Sequence, residues 1–410
     1  MSLLATHRSA VSNYQEYTAE IFEWYLGGLF KNLSHPNMLW YNGSAYAVGY
    51  EENTNLNQVI IVKQTGYLLE FTKVGSGTDG IEPLNHPAPA LIINAGDIYV
   101  IQNESHVDRF EVWKSDSTED ISSFTSTGYF DTDGAYLGLM KQDGADCTFV
   151  TRPGDGGSFI YDQAILEVDL DSPSGYTDTQ VTDADYGTES VRHYPLMPKL
   201  YGTQTEYIGG INCRNDAGGN IIYKTVLWVT SDFDTYENIG QTFSKNVVSA
   251  SPITFAELET NYTVVGTDSA RTTETSWADL IQIDDDGYLA YRSADDTFTI
   301  NKYTIGTATA VATFEIPESI SDSTGNVHMW YNGSDIVVKI VNADSETVVY
   351  TISTSLTNWT FKRSINTPIG HYFGIPTNLD EVDGKYLGIG SAEVGNNGIV
   401  PYSIINTTWN

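Results

Sequence analysis

Residues 328–341, HMWYNGSDIVVKIV, decide the fold because they place a histidine, an aromatic strand, an Asn-Gly turn and a second strand in one short unit. Residues 38–50, MLWYNGSAYAVGY, follow His35-Pro36 and share the segment WYNGS with it. Asn-Gly between two runs of β-forming residues is a strong signal for a two-residue hairpin, since both turn residues tolerate positive φ. The sequence therefore predicts a repeated β-hairpin whose first strand follows a histidine.

Histidine marks the same place in further units along the chain. Five of the seven histidines stand just ahead of a strand, a tight turn and a second strand, namely His35, His86, His193, His328 and His371. Repetition of a small β unit is typical of radial folds, and it predicts an all-β, single β-propeller. Because the innermost strands of a propeller line one central channel, we expect residues at the repeat's entry to converge on one funnel.

The spacing of the units predicts about seven four-stranded blades, with six or eight as alternatives. The predicted blades lie near 30–82, 83–128, 129–190, 191–249, 250–322, 323–366 and 367–410. Within the third blade, the Gly- and Asp-rich residues 150–190 are predicted to be a loop insertion. Residues 1–29 form an N-terminal segment whose stretch AEIFEWYLGG is expected to complete the last blade, closing the ring and removing two exposed edges.

Turn residues divide almost the whole chain into period-two strands, and no helical pattern of useful length appears. The predicted hairpin turns are Asn42-Gly43, Asp133-Gly134, Asp286-Gly287, Asn332-Gly333 and Asp383-Gly384. A second periodic signal, a strand followed by Ser or Thr, small polar residues and an aromatic, occurs in 112–128, 228–240 and 351–364. These segments are predicted to be structural turns of the Asp-box kind, in which Ser and Asp side chains bond their own backbone.

The composition excludes some classes of partner. Fifty-three acidic and 20 basic residues give a formal charge of −33, which disfavours direct binding to nucleic acid and to anionic membranes. The surface fits either a halophilic or marine protein or an ordinary acidic soluble protein. We find no secretory signal and no membrane-spanning segment, and we expect a virion or extracellular location.

Two pairs of polar residues have the spacing of a shared site. His86 and His106 are separated by 20 residues, and so are Tyr194 and Arg214. Each pair joins the start of an inner strand to the loop after the next strand. If the repeat is radial, all four residues face one funnel, and they are the candidate catalytic residues.

At these residues the chain resembles the BNR-repeat propellers that include ulvan lyases and related polysaccharide lyases. The resemblance depends on the His-Pro blade entries, on His106 after a second strand, and on Arg214 before the Gly-rich turn in CRNDAGGN; it covers about 35–370. It implies that His86 or His106 neutralises or deprotonates at a uronate ring, that Tyr194 is the acid or base, and that Arg214 pairs with the substrate carboxylate.

Other candidates have a structural as well as a functional interpretation. The repeated histidines His35, His193, His328 and His371 are candidate ligand-binding residues, or they hydrogen-bond to a neighbouring blade. Trp40 and Trp330 are candidates for stacking on sugars, although strand alternation directs one aromatic of each Trp-Tyr pair into the core. No metal ligand is assigned; the alternatives are calcium, at the carboxylate-rich turns 131–134 and 284–287, and zinc, with Cys213 as a soft ligand beside Arg214.

Three functions remain open. The leading hypothesis is a virion protein, such as a tail fibre, spike or capsid decoration, that recognises host-surface glycans alongside other virion proteins or copies of itself. The second is an active polysaccharide lyase or glycosidase that acts on an anionic polysaccharide. The third is a purely structural propeller that mediates protein contacts.

Overall fold

A computed structural model describes most of the chain. The described residues are 5–8, 16–19, 24–25, 38–53, 56–65, 68–78, 89–103, 109–130, 134–155, 158–161, 163–183, 191–215, 221–265, 270–271, 278–294, 297–317, 327–341, 346–366, 371–373, 385–392 and 402–408. Strands dominate this part of the chain, as the sequence predicted. Its helical elements are one α-helix and one short 3-10 turn.

The N-terminal third forms two mixed-length antiparallel sheets after a small hairpin. The strands are β1 (Ala5–Arg8), β2 (Glu16–Ala19), β3 (Trp24–Tyr25), β4 (Met38–Tyr41), β5 (Ser44–Asn53), β6 (Leu56–Thr65), β7 (Leu68–Thr78), β8 (Ala90–Asn94), β9 (Asp97–Asn103), β10 (Phe110–Ser115) and β11 (Phe124–Phe130). In the first sheet, β3 and β4 both pair with β5, and β6 and β7 follow. The second sheet runs β8-β9-β10-β11.

The middle of the chain forms the third and fourth sheets. Its elements are β12 (Gly134–Asp143), β13 (Asp146–Asp155), β14 (Ser158–Tyr161), β15 (Ala164–Asp169), the 3-10 turn Pro173–Gly175, β16 (Thr177–Gln180), β17 (Thr182–Asp183), β18 (Val191–Leu196), β19 (Pro198–Tyr201), β20 (Tyr207–Asn215), β21 (Ile221–Thr230), β22 (Thr235–Glu237), β23 (Ser244–Asn246), β24 (Ile253–Thr254), α1 (Phe255–Asn261), β25 (Thr263–Val265) and β26 (Ala270–Arg271). The third sheet contains β12 to β16, and the fourth contains β18 and β20 to β23, with β25 and β26 added at β21.

The C-terminal third forms the fifth to seventh sheets. Its strands are β27 (Asp279–Ile283), β28 (Asp286–Ala294), β29 (Thr297–Thr304), β30 (Ala312–Glu315), β31 (Val327–Tyr331), β32 (Asp335–Val341), β33 (Glu346–Ser353), β34 (Trp359–Asn366), β35 (His371–Phe373), β36 (Lys385–Ala392) and β37 (Tyr402–Thr408). The fifth sheet runs β27-β28-β29-β30 and gains β19 as a parallel strand beside β27. The sixth runs β31-β32-β33-β34, and the seventh β35-β36-β37.

The core consists of apolar layers, each drawn from two sheets that follow one another in the chain. One layer combines Tyr46 and Ile61 of the first sheet with Leu91 and Val100 of the second. The same holds for the second and third, third and fourth, fourth and fifth, and fifth and sixth sheets. Each fully buried aliphatic side chain contributes about 1.5–3 kcal/mol, so the faces between successive sheets hold the molecule together.

Hairpin turns agree with the sequence at some places and differ at others. Asn42 and Gly43 join β4 to β5 with φ of 46° and 80°, as predicted for Asn-Gly. The predicted turn Asp286-Gly287 is wrong by two residues. Asp284, with φ of 51°, and Asp285 form the turn before β28, and Gly287 lies inside the strand. A Cβ at Gly287 would stand 2.8 Å from Ile208 Cδ1, so this glycine is needed for close packing and not for a turn.

Two longer segments also differ from the sequence prediction. The supposed loop insertion at 150–190 supplies the end of β13 together with β14, β15 and β16, so it is part of the third sheet. A short helix, α1, begins in a complete capping box between Thr254 and Glu257, although no helical pattern was expected. Strands β25 and β26, placed in the fifth predicted blade, pair back onto β21 of the fourth sheet.

Ring closure stays a prediction. Trp24 and Tyr25, within the stretch expected to close the last blade, pair instead with Glu51 and Tyr50 of the first sheet. The preceding strand β2 lies alongside β37 of the seventh sheet. No hydrogen-bonded ladder joins β2 to β37 in the described residues, and the number of blades likewise stays a prediction.

Candidate functional site

The first strands of successive sheets lie side by side. β4 lies beside β8, β12 beside β19, and β27 beside β31, while β19 and β27 form a parallel ladder. We call the end of each sheet where its first strand begins and its second strand ends the entry end, and the opposite end the hairpin end. In the fourth sheet, for example, Val191 and Asn215 lie at the entry end.

Hydrogen bonds between neighbouring hairpin ends show that the sheets share one orientation. Asn42 Nδ2 donates to Glu119 Oε1 at 2.9 Å, which ties the first sheet to the second. Gln142 Nε2 donates to the Ile93 carbonyl at 3.1 Å between the second and third sheets. The Thr203 amide donates to Asp284 Oδ1 at 3.1 Å between the fourth and fifth. The entry ends of these sheets therefore point to the same side of the molecule.

The backbone positions of Tyr194 and Arg214 lie near each other at this side. The register of β18 and β20 sets the Cα of Tyr194 opposite Asn212 and that of Arg214 opposite Arg192. Because alternate residues of a strand share a face, the backbone positions of Tyr194 and Arg214 lie on one face as diagonal neighbours, about 7–8 Å apart. His193 pairs with Cys213, so both occupy positions on the opposite face.

Buried polar side chains, two of them on this same face, fix the strand that carries Arg214. Asn212 and Thr225 are both buried, and Thr225 Oγ1 donates to Asn212 Oδ1 at 2.8 Å. Gln163, fully buried in the third sheet, donates through Nε2 to the Gly210 carbonyl at 2.9 Å. Its Oε1 accepts a 3.1 Å bond from Nε1 of Trp228. Buried amides with both ends satisfied hold a single arrangement, so β20 is fixed against the third sheet.

The remaining predicted site residues are placed only in part. His35, His86 and His106 lie outside the described residues. His328 is the second residue of β31 and His371 the first of β35, so both histidines lie within their strands and not ahead of them. Trp40 is the third residue of β4.

Trp330 is a correction to the predicted set. Only 6% of its surface is exposed, so it cannot offer its ring face to a sugar. Met329, its neighbour, is fully buried as well, which shows that both faces of β31 are covered. The buried aromatic of this pair is therefore Trp330, and Tyr331, the partly exposed residue, makes an edge-on contact with Tyr201 at 5.7 Å.

A buried ion pair at the entry end of the inner strands was not predicted. Lys199 Nζ lies 2.6 Å from Asp279 Oδ2, with side-chain exposures of 0% and 3%, and donates to the Met329 carbonyl at 2.7 Å. The amides of Met329 and Leu280 donate to the same carboxylate. Burial lowers the pKa of Lys199 and raises that of Asp279. Since every partner is internal, the pair joins β19, β27 and β31 and is not available for chemistry. The available signal was a lysine between apolar residues in MPKLY.

Arginine is concentrated at the entry end. Six of the eight arginines in the chain lie there: Arg109, Arg152, Arg192, Arg214, Arg271 and Arg292. Each is near the start of a first or third strand, near the end of a second strand, or on a strand that pairs at this end. Arg109 stacks over the Tyr129 ring at 4.8 Å, and Arg292, buried with 6% exposure, stands near the end of β28 much as Arg214 does in β20. Acids such as Glu51, Glu52 and Asp155 occur at this end too.

Carboxylates crowd the hairpin end instead. Its turns and flanking strand residues carry Asp97, Asp116, Glu119, Asp143, Asp146, Asp169, Asp171, Asp232, Asp284, Asp285, Asp286 and Asp335. A cavity of about 350 Å³ opens there in the third sheet, lined by Asp143, Asp146, Glu167 and Asp169 around Cys147. Nowhere in the described part of the chain do three or more His, Cys, Asp or Glu side chains form a group able to hold a metal ion. The described residues also contain no helix long and apolar enough to cross a membrane.

Comparison with known proteins supports the fold. No protein-family model matches the chain, and no curated protein sequence does. A polysaccharide lyase, the PL25 ulvan lyase, matches with a TM-score of 0.65 at 10% identity over 91% of both chains. The same lyase bound to GlcA(1-4)Rha3S matches at 0.65 and 11% identity over 91% of both chains. Polysaccharide lyase Uly1 matches at 0.56 and 11% identity, over 92% of this chain and 90% of that one.

These neighbours are β-propellers, and the chain shares their fold. At 10–11% identity the likeness concerns architecture alone. Membership of a BNR-repeat family stays a prediction, since no family model matches.

Proposed function

We propose that the chain binds an anionic, uronate-containing polysaccharide at its entry end and cleaves it by β-elimination. The observation that carries this proposal is the register of β18 and β20, which brings the positions of Tyr194 and Arg214 to one face of neighbouring strands. The PL25 ulvan lyase, which shares this fold over nine-tenths of both chains, is an example of a polysaccharide lyase built on the same architecture.

The chemistry assigns a distinct task to each side chain. The Arg214 guanidinium pairs with the uronate carboxylate and neutralises its negative charge, which makes the C5 proton of that sugar more acidic. Tyr194 or one of His86 and His106 takes the C5 proton as general base, and a neighbouring group protonates the leaving oxygen at C4. The C5–H and C4–O bonds break while a C4–C5 double bond forms, so no water or oxidant is consumed.

The formal charge of −33 is an objection that the distribution of charge answers. Exposed charges farther apart than about 8–10 Å are largely screened at physiological salt, so a ligand responds to the local field and not to the sum. Six of eight arginines lie at the entry end, whereas the carboxylates of the hairpin turns lie a strand length away. A uronate carboxylate at the entry end therefore pairs with an arginine locally, although acids such as Glu51, Glu52 and Asp155 lie at the same end.

A second candidate function uses the same face without catalysis. The sequence led first to a virion-associated adhesin that recognises host-surface glycans, and this finer assignment stays a prediction. It requires glycan binding at the entry end and no turnover. A purely structural propeller requires neither.

The deciding experiment measures both binding and cleavage. A panel of uronic-acid polysaccharides is incubated with the protein, and the ultraviolet absorbance of unsaturated uronates is followed. We expect Arg214→Ala to lower kcat/KM by about 100- to 1,000-fold, as loss of one charge-stabilising group does. Arg363→Ala, on the outer strand β34, is the matched control and should leave kcat/KM unchanged.

The possible outcomes separate the three functions. Binding without any rise in absorbance would favour the adhesin. An absence of both binding and cleavage across the panel would favour the purely structural propeller. Cleavage that survives Arg214→Ala unchanged would overturn the assigned role of this residue.

A further inference from the structure

The outer edge between the fifth and sixth sheets exposes two aromatic rings side by side. Trp359 and Phe361 lie two residues apart on β34 and are 47% and 48% exposed. Their backbone partners in β33 are Ile352 and Tyr350, whose side chains belong to the core layer facing the fifth sheet. Both rings therefore extend that layer outward, beyond the point where the two sheets separate.

Ring contacts hold this pair in place. Tyr350, 2% exposed, meets Trp359 and Phe361 edge-on, each at 5.6 Å with an interplanar angle of 67°. From the fifth sheet, Phe314 approaches Trp359 at 6.3 Å. We call Trp359 and Phe361, with Tyr350 and Phe314 beneath and beside them, the rim platform. Because the rings are already ordered by their neighbours, a ligand that stacks on them loses little side-chain entropy.

The turn that leads into Trp359 is lined by uncharged hydroxyl groups. Ser353 Oγ and Ser355 Oγ are 3.0 Å apart, Ser355 Oγ and Thr357 Oγ1 are 2.7 Å apart, and Asn358 Nδ2 donates to Thr357 Oγ1 at 3.4 Å. Residues 353–361 carry no charged side chain. An apolar surface flanked by a few hydroxyl and amide groups matches a sugar, which offers apolar C–H faces and a rim of hydroxyls.

The size of the platform favours a sugar over a protein. Aromatic residues present about 150–250 Å² each when fully accessible, so two half-exposed rings offer on the order of 200 Å². A stable protein interface needs about 800 Å² from each partner. Two rings separated by two residues of an extended strand span about 7 Å, the scale of one or two sugar residues.

We propose that the rim platform is a second carbohydrate-binding site, which takes a polysaccharide chain through the apolar faces of its sugar rings whatever their charge. It lies on the outermost strand of the sixth sheet, whereas Tyr194 and Arg214 lie on the first two strands of the fourth. The platform takes no part in bond cleavage. By holding a long chain at a second point, it raises the effective concentration of polymer at the entry end and leaves short oligosaccharides unaffected.

Affinity electrophoresis through gels that contain a neutral or an anionic polysaccharide tests this site. The wild type and the control Phe71→Ala, which removes an equally exposed ring of 47% from the first sheet, should both be retarded. The double variant Trp359→Ala/Phe361→Ala should bind roughly tenfold more weakly in both gels, because two stacking contacts are lost. Trp359→Phe, which keeps a ring, should retain most of the retardation, and thermal melting should show that every variant is folded.

Other results would overturn the proposal. Retardation of the double variant equal to that of the wild type would remove the site, as would an equal loss in Phe71→Ala. A dimeric wild type that becomes monomeric in the double variant would show that a second copy of the chain occupies the platform. Arg214→Ala distinguishes this site from the entry end, since it should lower kcat/KM by about 100- to 1,000-fold and leave retardation in the neutral gel intact.

Discussion

Removing one partner of the buried Lys199–Asp279 pair should destabilise the protein strongly. The two side chains are 0% and 3% exposed and their charged atoms lie 2.6 Å apart. Replacing either residue by an uncharged one therefore leaves an unpaired charged group in the core. Breaking such a pair typically costs about 3–5 kcal/mol. The cost of Asp279→Asn should fall near the upper end of this range, because Lys199 then has only neutral acceptors, such as the Met329 carbonyl, and no anionic partner. Lys199→Met should cost less, because Asp279 retains two backbone N–H donors.

A double-mutant cycle isolates the interaction between the two groups. With both charges removed, Lys199→Met/Asp279→Asn should cost less than the sum of the single variants by at least about 2 kcal/mol. The free energy of unfolding is measured by urea denaturation at pH 7, followed by tryptophan fluorescence. A single variant that costs less than about 1 kcal/mol, or a double variant that equals the sum, would refute the reasoning.

The pH dependence gives an independent check with a definite sign. Burial lowers the pKa of Lys199 in the folded state below its unfolded value of about 10.4. For a group whose folded pKa is depressed, the penalty is fully present below the folded pKa and disappears above the unfolded one. The deficit of Asp279→Asn relative to the double variant should therefore shrink as the pH rises from 7 to 10. A deficit that grows over this range would contradict the assigned direction.

Two further predictions concern packing and thiol chemistry. A Cβ on Gly209 would overlap the fully buried ring of Trp228, so Gly209→Ala should lower the free energy of unfolding by about 1–3 kcal/mol. Gly175→Ala is the control, because a Cβ there meets open space, and it should change the free energy of unfolding little. Urea denaturation measures both variants. Burial raises the pKa of the Cys147 thiol to about 12, so in a Cys213→Ser background a thiol reagent at pH 8 should react with Cys147 far more slowly in the native protein than in urea. Equal rates in the two conditions would show that the thiol is not protected.

The repeat and its alternation predicted the strands because these depend on local sequence. Asn42-Gly43 forms its hairpin as expected, since no other residues nearby can supply two positive φ angles. Asp286-Gly287 does not, because Asp284 also tolerates the left-handed region and Gly287 is required against Ile208 of the fourth sheet. Two alternative turns that differ by two residues leave every side chain on the same face, so the apolar pattern could not choose between them.

The site was predictable only where it follows from the repeat. The register sets the positions of Tyr194 and Arg214 on one face because a constant spacing joins the start of one strand to the end of the next, and spacing is visible in a sequence; their role in a site stays a prediction. Lys199 was not found, because its partner Asp279 is 80 residues away in the chain. Trp330 was misjudged for a related reason: its burial depends on what covers the second face of β31, which the strand's own residues do not reveal.

The polar groups of the described residues are distributed unequally between the two ends of the sheets. The hairpin turns use Asp because its side chain bonds the adjacent backbone, as Asp232 Oδ1 does with the amides of Asp234 and Thr235 at 3.0 and 2.7 Å. Negative charge therefore accumulates at the hairpin end because the geometry of these turns favours Asp. The entry end has no such requirement, so its composition is free to serve a ligand, and six of eight arginines lie there. A net charge alone would have hidden this division, because it sums over two ends that meet different demands.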